Sequence, residues 1–164
     1  MEAYNGLSPT LRGFVDDLRG VHRFTPPEGQ DATEIFDKRN ADRPLVSEHP
    51  LVRVIPETGE RALFVSPSFL KRITGLAPRE SQQILELLFE HVTRPEYTVR
   101  FRWQPGSIAF WDNRTPAHLA SRDIFSLDFD RQLYHITLRD DVPVGVDGRP
   151  STALRGDPID AYTP

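Results

Sequence analysis

Hydrophobic and polar residues alternate in short segments of this chain, which is the pattern of strands with one buried face. Residues 98–103 alternate, with Val99 and Phe101 on the apolar side. Residues 131–138 alternate in the same way, and residues 107–111 form a nearly continuous apolar run that is typical of a buried strand. The pattern therefore predicts three strands in this part of the chain.

Turn residues separate the predicted strands. Gln104-Pro105-Gly106 predicts a turn between the first two of them. Earlier in the chain, residues 51–55 and 62–65 are two β-rich runs joined by residues 56–61, which contain proline and glycine. This arrangement predicts a β-hairpin.

Two segments have helical periodicity. Ser8 and Pro9 predict a helix start, with serine at the N-cap and proline in the first turn, and Gly20 is the expected stop. Pro78 precedes a second predicted helix over residues 80–92. The side chains expected to face the core from this second helix are Ile84, Leu85, Leu87, Leu88 and Val92.

Two other segments are polar and rich in turn residues. Residues 25–47 contain Pro26-Pro27, Gly29 and Pro44, and they fit either a solvated surface excursion or a lid over a site. Residues from Asp140 onward are rich in Pro, Gly and Asp, and we expect a tail that runs loosely over the surface.

Composition limits the classes of protein that fit. The chain has 164 residues, 38% of them hydrophobic, which is enough for one domain or a substantial part of one. A net charge of −4 argues against a nucleic-acid binder. The absence of cysteine excludes disulfides and thiolate metal sites. No long apolar stretch or signal-like leader is present, so we expect a cytoplasmic protein that does not bind membranes.

The candidate chemistry lies around the predicted strands of the second half. Residues 111–118 form a polar cluster after an apolar strand and end in His118, and Arg131 opens the next strand. Sites are often built where loops leave strands. A histidine and an arginine placed in this way could hold a metal ion and an anion.

Several motifs in this order resemble the taurine dioxygenase-like (TauD/TfdA) family. The resemblance extends from about Tyr4 to Gly145. It implies an iron(II)- and 2-oxoglutarate-dependent dioxygenase on a double-stranded β-helix, or jelly roll. The motifs are Trp103-Gln104-Pro105-Gly106, Trp111-Asp112-Asn113-Arg114 with His118 four residues later, Arg131 with its strand, and residues 48–53, 62–65 and 88–96.

The fold class expected from pattern and resemblance together is α+β and mainly β. It is a jelly roll with flanking helices that is incomplete at its N-terminus. We expect residues 1–145 to form the C-terminal portion of a dioxygenase domain, with residues 146–164 as a Pro/Gly-rich tail.

The resemblance assigns roles position by position. His118 matches the distal iron ligand of a two-histidine, one-carboxylate triad. Arg131 matches the arginine that binds the distal carboxylate of 2-oxoglutarate, and Phe69 matches a phenylalanine of the substrate pocket. His135 falls where taurine-specific members carry an arginine for the sulfonate, which argues against taurine itself.

Two of the family's iron ligands have no counterpart in this sequence. They form a His-x-Asp pair that lies upstream of the segment resembling Tyr4, and the chain begins too late to contain it. The sequence contains no His-x-Asp or His-x-Glu motif. We interpret His49 as structural. Asp112 and Asn113 are expected to form turns, and Trp103, Phe110 and Trp111 are expected to be core aromatics. The other histidines are at positions 22, 49, 91 and 135.

Three hypotheses follow from the resemblance. In the first, the chain is part of a dioxygenase that hydroxylates a small organic acid, such as a sulfonate, sulfate ester or ether, with release of succinate and CO2, and its His-x-Asp ligands are missing because the sequence is truncated or starts late. Alternatively, it is a non-catalytic remnant or binding module with an anion pocket around Arg131. In the third hypothesis, another chain supplies the missing ligands. The expected cofactor is Fe(II) with 2-oxoglutarate as cosubstrate, and we expect homo-oligomerisation because an incomplete jelly roll exposes strand edges and apolar surface.

Overall fold

The computed structural model describes residues 1–23, 45–118, 128 and 133–161. Within these ranges, seven strands form two antiparallel sheets, and helices pack against both of them. This agrees with the expected α+β class. The strands are β1 Arg19–Arg23, β2 Val46–Pro50, β3 Val52–Val54, β4 Arg61–Leu63, β5 Leu70–Ile73, β6 Val144–Gly145 and β7 Thr152–Arg155.

The two sheets are joined through one buried residue. The larger sheet has the strand order β5-β1-β2-β7, and the smaller sheet has the order β4-β3-β6. Leu51, which is 0% exposed, is the residue between β2 and β3, so the chain passes from one sheet to the other at that point. Strands β3 and β4 pair with Val52 opposite Leu63 and Val54 opposite Arg61, which confirms the predicted hairpin.

The helices in the described ranges are α1 Glu2–Asn5, α2 Pro9–Asp16, α3 Pro78–Val92 and a short 3₁₀ helix Pro95–Tyr97. The predicted start of α2 is confirmed, since Ser8 Oγ accepts a hydrogen bond from the Leu11 amide at 3.2 Å. The predicted stop at Gly20 is wrong, because α2 ends at Asp16 and Gly20 lies in β1. A Cβ at Gly20 would lie 2.3 Å from Leu70 Cδ1, so the glycine is required by close packing.

Helix α3 presents a narrower apolar stripe to the core than the sequence predicts. Leu85 and Leu88 are buried, and Ile84 and Val92 are partly buried against the core. Leu87 is 44% exposed, so its predicted core position is wrong. At about 100° per residue, Leu87 lies well away from the direction that Leu85 and Leu88 share.

The core lies between the two sheets and the helices. Fully buried side chains include Leu51, Val52 and Leu88. Burying each such aliphatic side chain stabilises a fold by about 1.5–3 kcal/mol. The buried members of this cluster are Tyr4, Leu7, Val15, Leu51, Val52, Leu63, Val65, Leu70, Ile73, Leu85 and Leu88.

The C-terminal part of the described chain is paired with both sheets, so the prediction of a loose surface tail is wrong. Strand β6 pairs with β3 and β7 pairs with β2. The buried Arg19 guanidinium also donates to the carbonyls of Arg149 and Pro150, at 3.4 and 2.7 Å. The two strands are too short to give a readable period of two, which is why the sequence did not reveal them. The division of the chain at residue 145 stays a prediction.

Residues 98–118 and 133–138 contain no strand, although the sequence predicts strands there. Val99, Phe110 and Ile136 are 92%, 94% and 90% exposed, so the predicted burial of these segments is wrong. Trp103 and Trp111 are also exposed, which overturns their expected place in the core together with that of Phe110. The described chain contains no neighbouring strand that would pair with these segments.

The predicted turn between residues 98–103 and 107–111 is confirmed. The Ser107 amide donates to the Gln104 carbonyl at 2.9 Å, and Gly106 has a φ of 82°, which favours glycine. The possible lid at residues 25–47 lies mostly outside the described residues, and its last residues belong to β2. No helix in the described ranges is long and apolar enough to cross a membrane.

Candidate functional site

Residues 111–118 contain a turn at Asp112–Thr115 that is held by its own side chains. Asp112 Oδ1 accepts from the Arg114 amide at 2.8 Å, and the Thr115 amide donates to the Asp112 carbonyl at 3.2 Å. This confirms the turn role expected for Asp112. Asn113 Oδ1 instead accepts from Trp111 Nε1 at 2.8 Å, so its side chain bonds an indole ring rather than the backbone.

The Arg114 guanidinium joins this turn to the smaller sheet. It donates to both carboxylate oxygens of Asp112 at 2.8–3.0 Å and to both of Glu57 at 2.9 and 3.0 Å. Glu57 lies in the hairpin between β3 and β4. Asp140 and Asp141 are also near the guanidinium, at 3.3 and 3.7 Å. The turn is therefore fixed to two other parts of the chain.

A second arginine belongs to the same cluster because it shares Asp141 with Arg114. Arg53 on β3 is 3% exposed, and its Nη2 donates to both oxygens of Asp141 at 3.0 and 2.8 Å. Its guanidinium also lies 5.7 Å from the centre of the Phe64 ring. Asp141 is therefore shared between the buried Arg53 and the more accessible Arg114. We call Arg53, Glu57, Asp112, Arg114, Asp140 and Asp141 the arginine cluster.

The electrostatics of the arginine cluster show that it is not an anion site. Hydrogen bonds from Arg114 hold the pKa values of Asp112 and Glu57 below their usual range, and these carboxylates in turn raise the pKa of Arg114. Two guanidinium groups face four carboxylates, so the cluster is net negative. An incoming carboxylate would be repelled there.

His118 lies three residues after the turn and is exposed. Its ring centre lies 5.5 Å from that of Trp111, at an interplanar angle of 54°. No hydrogen bond joins its imidazole to another described residue, and an exposed imidazole fits one ligand position. The described ranges contain no group of three His, Asp or Glu side chains that could hold a metal ion. They therefore supply one possible iron ligand and do not by themselves form an iron site.

Two of the other candidate residues, Phe69 and His135, lie within the described ranges. Phe69 lies in the turn before β5, and its carbonyl accepts from the Arg23 amide at 2.8 Å. His135 is exposed in a segment without strand structure. No ring contact or hydrogen bond joins His118 to Phe69 or His135. Arg131 lies outside the described residues, so its predicted role stays a prediction.

A separate pair of histidines lies on the larger sheet. His49 Nδ1 is 2.7 Å from Ser151 Oγ, and the rings of His22 and His49 are 4.7 Å apart. Burial, together with the positive charges of His22, Arg19 and Arg53, lowers the pKa of His49 to about 4. These contacts agree with the structural interpretation of His49.

Sequence reasoning gave no role to Arg114 or Arg53. For Arg114, the Asp-x-Arg spacing was a readable signal, because an aspartate two residues before an arginine can accept from its backbone amide. Its partner Glu57 is 57 residues away in sequence. Pairings at that distance depend on the fold, so no local pattern could have revealed them.

The structure combines two antiparallel sheets with the exposed imidazole of His118. The turn before His118 is bonded to the smaller sheet through Glu57. A family model described as "Taurine catabolism dioxygenase TauD, TfdA family" matches residues 1–132. The chain therefore belongs to the TauD/TfdA family.

Individual relatives agree with this membership. The chain is 39% identical over 160 residues to an alpha-ketoglutarate-dependent sulfate ester dioxygenase of Pseudomonas putida, covering 93% of this chain and 52% of the relative. It is 36% identical over 153 residues to an alkylsulfatase of Acinetobacter baylyi, covering 89% and 47%. A crystal structure of a putative alpha-ketoglutarate-dependent taurine dioxygenase from Burkholderia xenovorans has 63% identity and a TM-score of 0.83, covering 96% of this chain and 53% of that one. The chain thus spans about half the length of these relatives.

Proposed function

We propose that this chain acts as part of an iron(II)- and 2-oxoglutarate-dependent dioxygenase, to which it contributes the iron ligand His118 and the cosubstrate arginine Arg131. The single observation that carries the proposal is the family match over residues 1–132, which includes both positions. The accessible imidazole of His118 supports it, because neutral imidazole is a common ligand of iron in proteins. Arginine suits the far carboxylate of 2-oxoglutarate because its planar fork binds carboxylates in a bidentate way.

The substrate that the proposal favours is a sulfate ester. Two of the similar curated proteins are named as a sulfate ester dioxygenase and an alkylsulfatase. His135 occupies the position where, by the resemblance, taurine-specific members carry an arginine. Oxidative decarboxylation of 2-oxoglutarate would give succinate and CO2, and hydroxylation of the substrate carbon next to the ester oxygen would make the product fall apart into sulfate and a carbonyl compound. Phe69 and His135 are the proposed substrate contacts.

The described residues do not complete an iron site, and we therefore assign no catalytic step to the metal in this chain alone. Two further ligands must come from residues other than the described ones. The same observation favours a second candidate function, a non-catalytic module that binds an anion at Arg131 without a metal. In a third arrangement, another chain supplies the two missing ligands, and His118 keeps the same role as an iron ligand.

The fold that we propose around this site is a jelly roll. The two antiparallel sheets with few helices support it, as does the similarity to the Burkholderia xenovorans structure. We also propose a cytoplasmic, homo-oligomeric protein with a small-molecule substrate and no nucleic-acid or membrane partner. The exposed apolar residues of segments 98–111 and 133–138 support self-association.

An anaerobic titration with iron(II) and 2-oxoglutarate tests the proposed function. We expect a saturable visible charge-transfer band of the chelated complex, which His118→Ala abolishes and Arg131→Ala weakens. His91→Gln is the matched control, because it removes an imidazole whose described contacts are the Ala3 carbonyl on α1 and the ring of Tyr97. It should leave the band unchanged.

The two candidate functions give different results in this experiment. No band at any iron concentration, combined with 2-oxoglutarate binding that depends on Arg131, would favour the anion-binding module. A band that survives His118→Ala would contradict the ligand assignment itself.

A further inference from the structure

We propose that Arg114 is a positioning residue that sets the orientation of His118. The inference deepens the proposed function and rests on it for the meaning of His118 as a ligand. The geometry itself concerns only described residues. Three steps lead from these residues to the inference: the bonds within the turn, the anchor of the turn, and the connection from the turn to the imidazole.

The first step is internal to the turn. Arg114 donates its backbone amide to Asp112 Oδ1 at 2.8 Å, and its side chain returns to both oxygens of the same carboxylate. One carboxylate therefore holds the backbone and the side chain of the same arginine. This double contact limits the directions in which the guanidinium can leave the turn.

The second step anchors the turn. The guanidinium carries fixed, planar donors, and here they meet Asp112 on one side and Glu57 on the other. The arginine side chain is only 18% exposed, which shows that it is enclosed by its partners. Asp141, held from below by the buried Arg53, closes the cluster. A lysine could keep the charge here but could not satisfy both carboxylates with the same geometry.

The third step connects the turn to the imidazole. Trp111 is the residue before Asp112, its indole donates to Asn113, and its ring packs near His118 at 5.5 Å. Arg114 fixes Asp112, the immediate neighbour of Trp111. The orientation of the indole, and with it the surroundings of His118, therefore depends on a guanidinium that does not itself touch His118. Groups bonded directly to a metal-ligating histidine change metal affinity by about 10–100-fold, and for a residue that acts through Trp111 we expect an effect at the lower end of that range.

The chain offers a matched control for Arg114. Asp147 and Arg149 repeat the same local arrangement, with the Arg149 amide donating to Asp147 Oδ1 at 2.9 Å and its Nε bonded to the same carboxylate. Arg149 lies in the turn between β6 and β7, and among the described residues its side chain is hydrogen-bonded to Asp147. Arg149→Gln therefore removes an equivalent local bond without touching the proposed anchor.

The test uses fluorine NMR on the 164-residue chain with 5-fluorotryptophan incorporated. The chain has two tryptophans, so two resonances are expected, one of them from Trp111 beside His118. His118→Ala should shift the Trp111 resonance in the wild-type background. In the Arg114→Gln background, the same substitution should change the Trp111 resonance by less than half as much, because the two rings no longer keep their contact. In the Arg149→Gln background, the full shift should remain.

A second readout separates this inference from the proposed function. Iron(II) affinity, measured through the charge-transfer band, should weaken about tenfold in Arg114→Gln and remain unchanged in Arg149→Gln. If the wild-type chain gives no band while the NMR coupling is lost as expected, the proposed function fails and the positioning role stands. If the shift caused by His118→Ala is the same in the wild-type and Arg114→Gln backgrounds, Arg114 does not position His118 and the inference is overturned.

Discussion

Residues 45–97 and residues 98–111 differ sharply in strand pairing and burial, although both contain an alternating sequence pattern. Strand β3 reads Val-Arg-Val, and residues 99–103 read Val-Arg-Phe-Arg-Trp. In β3, hydrogen-bonded neighbours lie on both sides, Val52 is fully buried and Arg53 is paired with Asp141. In the second segment, Val99 is 92% exposed and no described strand pairs with it.

This difference shows that an alternating pattern specifies a strand only together with its partners. The pattern states which side chains could share a face. Whether that face is buried depends on what pairs with the backbone and covers the side chains, and those residues come from distant parts of the sequence. A buried arginine such as Arg53 is likewise stable only where a carboxylate reaches it.

The largest expected effect comes from truncating a side chain in the packed part. Leu88→Ala removes a fully buried side chain that α3 presents to the core, and we expect the free energy of unfolding to fall by about 2–5 kcal/mol. Phe110→Ala removes a larger side chain that is 94% exposed, and the expected change is within about 0.5 kcal/mol. Urea denaturation followed by circular dichroism measures both.

Dilution provides the control for this pair. Self-association through Phe110 would add an apparent stability that depends on protein concentration, so both variants are compared at several concentrations. A loss for Phe110→Ala that approaches the loss for Leu88→Ala at the lowest concentration would show that the two regions do not differ in packing as described.

The sequence predicted the local elements of the fold well, and it predicted their partners poorly. The start of α2 at Ser8, the β3–β4 hairpin and helix α3 were all readable, because capping, turn chemistry and helical period are properties of neighbouring residues. The pairing of β7 with β2 was not, because it joins segments about a hundred residues apart. The predicted strand over residues 107–111 failed for the same reason.

The candidate site divides along the same line. The polar turn from Trp111 to His118 could be found from its motif, and the role of Asp112 followed from its type and spacing. The anchor at Glu57 and the link to Arg53 through Asp141 depend on the assembled smaller sheet. In the sequence, Glu57 and Asp141 look like ordinary acidic residues of a protein surface. Nothing in the local pattern distinguishes them from other acidic residues.

The second prediction concerns the pH dependence of the packed part. The pKa of His49 is lowered to about 4 by burial and by the nearby positive charges of His22, Arg19 and Arg53, and burial also lowers the pKa of His22. The unfolded chain binds these protons near pH 6.5, before the folded chain does. Stability should therefore be complete above about pH 6.5 and fall as the pH drops toward 4. We expect a loss on the order of 2 kcal/mol from His49.

Glu48, the residue before His49 on β2, complicates the measurement. It bonds Thr74 and Arg19, and its pKa is lowered, so its own contribution is lost on acidification as well. Comparing thermal melts of wild type, His49→Gln and Glu48→Gln from pH 7.5 to 4.5 separates the two. His49→Gln should flatten the profile most between pH 6.5 and 5. An unchanged slope in that variant would contradict the buried, neutral state of His49.

The smallest expected effect on stability, and the one that sharpens the comparison most, comes from the exposed apolar segments. Phe110→Ser and Ile136→Ser should each change the free energy of unfolding by no more than about 0.5 kcal/mol, because both side chains are about nine-tenths exposed. The same substitutions should weaken self-association, since contiguous exposed apolar surface drives association whereas a single exposed apolar side chain does not. Leu87→Ser on α3 is the matched control, an exposed leucine outside these segments. Sedimentation velocity should show less association for the first two variants and none of this change for the third. Equal behaviour of all three would mean that residues 98–111 and 133–138 do not form an associating surface, and that their exposure has no consequence for assembly.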